Sequence, residues 1–281
     1  MHAISVIILA HNEERRISAC LASVLAEAGD FPVNVVVNGS SDRTAELAAT
    51  FGARVTVHDY LDPGKSRSWN RFVLDTLTDG ADTLIFVDGD AVVENGSFAA
   101  LVSALADDPQ ANAAAGQPLN GRSVDVYRRD QKVSHGLFGD LYALRGSFVE
   151  RMRASGIRLP DDLIGDDGLI GALAKVDLQW GGEWLNERVA VVANAGFYAE
   201  PINVLSLRSL RAHYYRLINY SVRHFQNQII GTLMRASPPP PLPKRMADIY
   251  PRFLSDFAPR RAPSLWWFDR QALARMRRAG G

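Results

Sequence analysis

The strongest constraint on this chain is a pattern repeated through its first hundred residues. A short apolar run ends in a polar cluster, and a helix-spaced apolar face follows. Ile4 to Leu9 is apolar except for Ser5, as in a strand buried on both faces. Ile17, Cys20, Leu21, Val24 and Leu25 then share one helix face. Val33 to Val37 predicts a second strand, closed by Asn38-Gly39; Ser41 or Asp42 is placed to cap a helix that stops at Gly52. Val55 to Val57 predicts a third strand, and Trp69, Phe72, Val73 and Leu77 line a third helix. Leu84 to Val87 predicts a fourth strand running into Asp88-Gly89-Asp90, with Ser97 placed to cap a helix bearing Phe98, Leu101, Val102 and Leu105.

Strands alternating with helices imply an α/β fold, a mostly parallel sheet with helices on both faces. Ligands of such sheets bind beyond the carboxyl ends of the strands. His11-Asn12-Glu13, Asn38-Gly39-Ser40 and Asp88-Gly89-Asp90 all fall at that rim. Three polar strand ends on one edge argue for a site there.

The second half is less regular. It predicts a strand near Ala113 to Ala115, helices at Ser147 to Arg153 and Gly168 to Lys175, and a strand at Val189 to Val192. One or two long helices are expected from Leu205 to Met234, then a stiff proline-rich linker from Ser237 to Pro243. The tail carries Trp266-Trp267-Phe268 and is basic near its end. The division expected is 1–200 as the main α/β domain carrying the site, 201–236 as a helical segment, and 237–281 as linker and tail. No internal repeat is visible.

Thirty-one Lys and Arg balance 31 Asp and Glu, so no global field draws the chain to nucleic acid or an anionic membrane. The one cysteine, Cys20, cannot form an intrachain disulfide and reads as a buried thiol in a reducing compartment. The start resembles no signal peptide, and no apolar run reaches the roughly 18 residues of a membrane span. A cytoplasmic protein is expected, at most peripheral at the inner face of the membrane.

Asp88-Gly89-Asp90 is the sharpest local motif. Two carboxylates at i and i+2 past an apolar strand can converge on one hard divalent cation, Mn²⁺ or Mg²⁺, which shares its shell with phosphate oxygens. Asp166-Asp167 sits between Gly165 and Gly168, just before Leu169-Ile170. It reads either as charge at a helix N-terminus or as a catalytic base, and the nearby Asp161 and Asp162 should help raise a pKa there.

Taken together these motifs resemble the inverting family 2 glycosyltransferases, over roughly Ile4 to Lys175. Ser5 to Glu14 resembles the family's first strand and its asparagine-glutamate turn. Val36 to Thr44 resembles its second motif, and Gly64 to Asn70 its glycine-lysine loop. Asp88-Gly89-Asp90 matches its Asp-x-Asp motif. Gly139 to Arg145 resembles the acceptor-side segment, and Asp166-Asp167 stands where the family usually has Glu-Asp.

The resemblance implies a GT-A, Rossmann-like fold with a C-terminal helical extension, and roles position by position. His11 would lie against the nucleotide base and Asn38, often aspartate in the family, would bond to its edge, leaving uridine or guanosine open. Ala10, Glu13, Ser40, Lys65, Asn70, Asp88 and Gly89 would complete the nucleotide site. Asp90, with Asp88, would hold the metal, and His213 is a candidate third ligand. Asp167 would deprotonate the acceptor hydroxyl, with Asp166 beside it. Tyr142, Arg208 and Arg211 would face the acceptor or the diphosphate. The expected activity moves a sugar from a nucleotide diphosphate to a saccharide, lipid-linked or small-molecule acceptor.

Between Pro201 and Ala247 no Asp or Glu occurs, while seven Lys and Arg interleave with tyrosines. That reads as a docking helix, or as a flap or surface for an anionic acceptor. The tail aromatics are expected to pack on the domain or on a second subunit, and otherwise to anchor at a membrane interface. No Gly-x-Gly-x-x-Gly follows the first strand, which disfavours a dehydrogenase. His-Asn-Glu-Glu in place of a glycine-rich basic loop disfavours a nucleotidyltransferase. The remaining rival is a catalytically silent sugar-nucleotide-binding protein.

Overall fold

The computed structural model describes residues 3–200, 206–236 and 241–281. The strands are β1 (Ile4–Ala10), β2 (Val33–Asn38), β3 (Val55–Tyr60), β4 (Thr83–Asp88), β5 (Ala91–Val93), β6 (Ala113–Pro118), β7 (Leu141–Arg145) and β8 (Val189–Ala199). They form one sheet in the order β3-β2-β1-β4-β7-β6-β8-β5. The first four are parallel, as expected from their alternation with helices. Beyond β4 the sheet is mixed: β7 runs antiparallel to both β4 and β6, and β5 antiparallel to β8.

The helices are α1 (Ile17–Glu27), α2 (Thr44–Ala49), α3 (Lys65–Trp69), α4 (Ser97–Asp107), α5 (Val124–Ser134), α6 (Gly146–Ala154), α7 (Asp166–Lys175), α8 (Leu207–Arg235), α9 (Tyr250–Phe253) and α10 (Pro263–Gly280). The third predicted helix is α3 only in its first turn. It widens into a π-helical stretch over Asn70–Thr76, and Leu77 lies past its end.

Period-two alternation sorts the strand side chains into two cores. Ile7, Leu9 and Phe86 face one side with Trp69, Phe72 and Phe148; Val6, Ile8 and Val35 face the other with Cys20, Leu21, Val24 and Leu101. Each such aliphatic side chain contributes roughly 1.5–3 kcal/mol by leaving water. Ile218, Val222, Phe225, Ile229 and Leu233 of α8 join the first core, as do Ala272, Leu273 and Met276 of α10. The helical extension therefore shares its core with the sheet. Asp269 of α10 is fully buried and holds Arg260 through both carboxylate oxygens, at 2.7 and 2.9 Å. Among the described residues no helix is long and apolar enough to cross a membrane.

Two capping expectations resolve differently. Asp42 does serve the start of α2, its Oδ1 accepting from the Thr44 N–H at 3.1 Å. Ser97 does not cap α4. It is the first helical residue, and its hydroxyl exchanges hydrogen bonds with the backbone of Gly196 in β8. The free N–H groups there, on Gly96 and Phe98, instead donate to the carboxylate of Glu27 on α1, at 2.8 and 3.1 Å. A cap from 69 residues away leaves no local signature. Of the proline-rich linker, 237–240 lie outside the described residues.

Candidate active site

The β1 and β2 ends are tied to one another. Asn12 takes a left-handed conformation (φ 58°), which lets its N–H reach the Ser40 hydroxyl at 2.9 Å and its Oδ1 accept from the Ser41 N–H at 2.9 Å. His11 Nδ1 lies 2.6 Å from the Asn38 carbonyl, and Asn38 donates its amide to the Ala10 carbonyl at 2.9 Å. That bond uses one amide N–H and leaves the side-chain carbonyl and the second N–H of Asn38 for a ligand. Ala10 itself is buried and acts through that carbonyl, as a wall of the site. Gly39 is required twice over: φ is +63°, and a Cβ there would stand 2.6 Å from Pro63 backbone.

The β4 end packs against the β1 end only because residue 89 is glycine, since a Cβ would lie 2.8 Å from that of Ala10. That contact aims Asp88 and Asp90 at Asp140, from the turn before β7. One ligand atom from each of these three carboxylates lies within 4.8 Å of the other two. Burial is the leading cause in pushing Asp88 up to about 8, against the pull of Lys65, and Asp140 up to about 6, with Asp90 adding repulsion. Glu13 rises to about 7 through burial and then Asp90. Arg16 partly offsets this charge, 2.6 Å from Glu13 and 3.4 Å from Asp90.

Lys65, at the start of α3, links the two acidic motifs. Its Nζ lies 2.6 Å from Asp88 Oδ1 and 3.5 Å from Asp166 Oδ2. Burial alone would push this ammonium down, but Asp166, Asp88 and Asp167 hold it well above the ordinary range. Gly139 leaves the room, since a Cβ there would lie 2.8 Å from Nζ.

Asp166 and Asp167 open α7, both buried. Burial raises Asp166, Lys65 opposes that, and Asp167 adds to it. Asp161 and Asp162 are not among the main causes of this shift, contrary to expectation. Asp162 instead accepts the backbone N–H groups of Met246 and Ala247, at 2.6 and 3.0 Å, and Asp161 faces Arg67. Asp167 Oδ2 accepts from Arg223 Nη2 of α8 at 3.0 Å. The Arg223 guanidinium fills space that two glycines provide: a Cβ on Gly165 would lie 2.5 Å from it, and one on Gly168 3.1 Å.

Some expected residues stand elsewhere. Asn70 is buried and exchanges two hydrogen bonds with the backbone of Leu159, at 2.7 and 3.0 Å, so it shapes the loop ahead of Asp166 rather than presenting its amide to a ligand. Tyr142 is fully buried and stacked on Phe86 (4.7 Å, 7°), beneath the site rather than facing an acceptor. His213 is not part of the acidic trio among the described residues; its Nδ1 is buried with no hydrogen-bond partner. Arg211 is exposed on α8, its guanidinium 5.7 Å from the Tyr215 ring centre, and the Arg208 side chain lies outside the described residues. Sequence reasoning passed over Asp140, Arg16 and Arg223 as site residues. Asp140 had a signal, an acid after glycine just before an apolar strand.

Comparison with solved structures finds the same fold. A mannosyltransferase from Pyrobaculum calidifontis, in complex with GDP-Man and Mn²⁺, superposes with a TM-score of 0.62 at 18% identity, covering 99% of this chain and 74% of that one. TarS from S. aureus with UDP-GlcNAc gives 0.54 at 16%, covering 78% and 66%. Glucosyl-3-phosphoglycerate synthase from Mycobacterium tuberculosis, with Mn²⁺, UDP-Glc and phosphoglyceric acid, gives 0.52 at 19%, covering 78% and 79%. No curated protein matched by comparison. Residues 5–163, more than half of the sequence, match Glycosyl transferase family 2, and the chain belongs to that family.

Proposed function

We propose that this chain is an inverting glycosyltransferase that moves a sugar from a nucleotide-diphosphate sugar, UDP-linked in preference to GDP-linked, onto an acceptor hydroxyl. The observation that carries the reading is the pairing of two acidic motifs across one lysine: Asp88, Asp90 and Asp140 on one side, Asp166 and Asp167 on the other, with Lys65 between.

The trio fits a hard divalent cation. Three convergent carboxylates offer only oxygen, and two are pushed up by crowding and burial that a cation would relieve. Asp88, Asp90 and Asp140 would hold Mn²⁺ or Mg²⁺, which supplies charge neutralisation for the departing diphosphate. Asp167 takes the proton of the acceptor hydroxyl as the new C1–O bond forms. The bond from C1 to the phosphate oxygen breaks on the opposite face, and its electron pair leaves with the nucleotide diphosphate. Arg223 positions Asp167. Lys65 holds Asp88 and Asp166 at fixed separation and supplies a cation beside the phosphates. The Asn38 carbonyl accepts from a base N–H, such as the ring N3–H of uracil or N1–H of guanine. The exposed Arg211 and the tyrosines near it are candidates for acceptor contacts.

The test incubates the protein with UDP-Glc, UDP-GlcNAc and GDP-Man, with Mn²⁺ or with chelator, and follows nucleoside diphosphate release. Metal-dependent release supports transferase chemistry. Binding of the donors without release under any condition would mark a silent sugar-nucleotide-binding protein.

A further inference from the structure

We infer that the exposed arc of α10, with the adjoining start of α8, is a docking surface for an anionic lipid bilayer. Charge supplies the first argument. Residues 201–281 hold 14 Lys and Arg against three Asp and no Glu, a net +11, so the first 200 residues carry −11. A neutral chain is thus strongly polarised along its length. On α8 and α10 the one acidic residue is Asp269, and it is buried against Arg260. The exposed faces of both helices therefore present positive charge without a countercharge of their own.

The second argument is the company the arginines keep. At 3.6 residues per turn, Trp266, Trp267, Arg270, Ala274, Arg277 and Arg278 occupy one arc of about 120° on α10. Asp269, Ala272, Leu273 and Met276 occupy the adjoining arc and are buried, with Leu273 at the border between the two faces. Trp266 and Trp267 are 43% and 49% exposed, although each ring loses stability by facing water. Arg270 sits 4.7 Å over the Trp266 ring, beside a groove of about 390 Å³ lined by Pro259, Leu273 and Arg277. Trp267 donates from its indole N–H to the Tyr214 hydroxyl at 3.3 Å, which extends the aromatic surface onto α8 and Tyr215. Amphipathic rings interleaved with arginines suit the headgroup region, where the ring enters the acyl boundary and the cation meets phosphate. Of the tail aromatics, Phe268 packs on the core and the two tryptophans do not.

The experiment floats the full chain with vesicles of phosphatidylcholine alone or mixed with phosphatidylglycerol, with light scattering run in parallel. The expected result is flotation with the anionic vesicles only, weakening as salt rises, and a blue shift of tryptophan emission on binding. Arg270→Gln with Arg277→Gln should lower partitioning about 25-fold, at roughly five-fold per arginine. Trp266→Ser with Trp267→Ser should abolish the blue shift, and circular dichroism melting checks that both variants fold. Absence of binding to anionic vesicles, equal binding to neutral ones, or flotation that both double variants retain would overturn the inference. So would a dimer that the tryptophan variant dissociates, which would assign the face to a second copy. None of these readouts depends on sugar transfer, so the lipid surface and the proposed chemistry stand or fall separately.

Discussion

Arg223 of α8 donates to Asp167 at the start of α7 across 3.0 Å, in a slot that exists because Gly165 and Gly168 have no side chains. The helical extension thus reaches the proposed base directly. Asp167→Asn keeps the size of the side chain but cannot take a proton. Turnover should fall by roughly 10²–10⁴ with donor affinity little changed. Single-turnover rates beside calorimetric donor binding read the two effects. A severe loss in Asp166→Asn with a mild one in Asp167→Asn would reverse the assignment within the pair.

Arg223→Ala removes the partner and leaves the base in place. The expected outcome is a lower kcat with donor affinity little changed, partly restored by Arg223→Lys, because the 3.0 Å contact no longer orients the carboxylate. An unchanged kcat with reduced thermal stability would make Arg223 a packing residue.

The acidic trio makes cation affinity depend on pH. Protons compete for Asp88 and Asp140, pushed up to about 8 and about 6, so the affinity for Mn²⁺ should rise as pH increases across that interval. Calorimetry in two buffers of different ionisation enthalpy would also show protons released on binding. Asp140→Asn should weaken the metal as Asp90→Asn does. Wild-type affinity in Asp140→Asn would remove it from the ligand set.

Asp269 is a stability prediction with a definite sign. Burial pushes its carboxyl up, but hydrogen bonds from the Arg260 side chain and backbone and from Ser221 prevail and hold it below the usual range. The stability it supplies is whole above about pH 4, the unfolded value, and is lost as pH falls through the lower folded value. Asp269→Asn should cost about 2 kcal/mol at neutral pH by giving the partly exposed Arg260 a neutral acceptor in place of a carboxylate, and much less in acid. Denaturant melts at two pH values check this.

The parts of the fold legible in sequence were those written in local periodicity. β1 to β4, α1 and the three polar strand ends follow from residues within about a turn of one another, and all were placed. In the mixed half β6, β8, α6 and α7 were placed as well, whereas β5, β7 and α5 were not: β5 has three residues and α5 buries only Gln131. The start of α4 misled for another reason: Ser97 looks like a cap, but the cap comes from Glu27 on another helix. In the site, Asp88, Asp90, Asp166 and Asp167 stand out as paired carboxylates beside glycine. Asp140 is a single acid 50 residues beyond Asp90, and Arg223 one of many arginines in its helix. Both acquire meaning only through packing. Asn70 and Tyr142 were placed in the site by the resemblance, whereas the fold spends one on a loop and buries the other.

The central claim is transfer chemistry from a donor whose diphosphate meets the acidic trio, with Asp167 as base. The most direct measurement follows nucleoside diphosphate release from the best-bound donor in the native chain, Asp90→Ala and Asp167→Asn, each with Mn²⁺ and with chelator. The account predicts release by the native chain only with metal, near-complete loss in Asp90→Ala, and in Asp167→Asn a loss of roughly 10²–10⁴ at unchanged donor affinity. Release that is equally fast with chelator, or that survives in both variants, would contradict it.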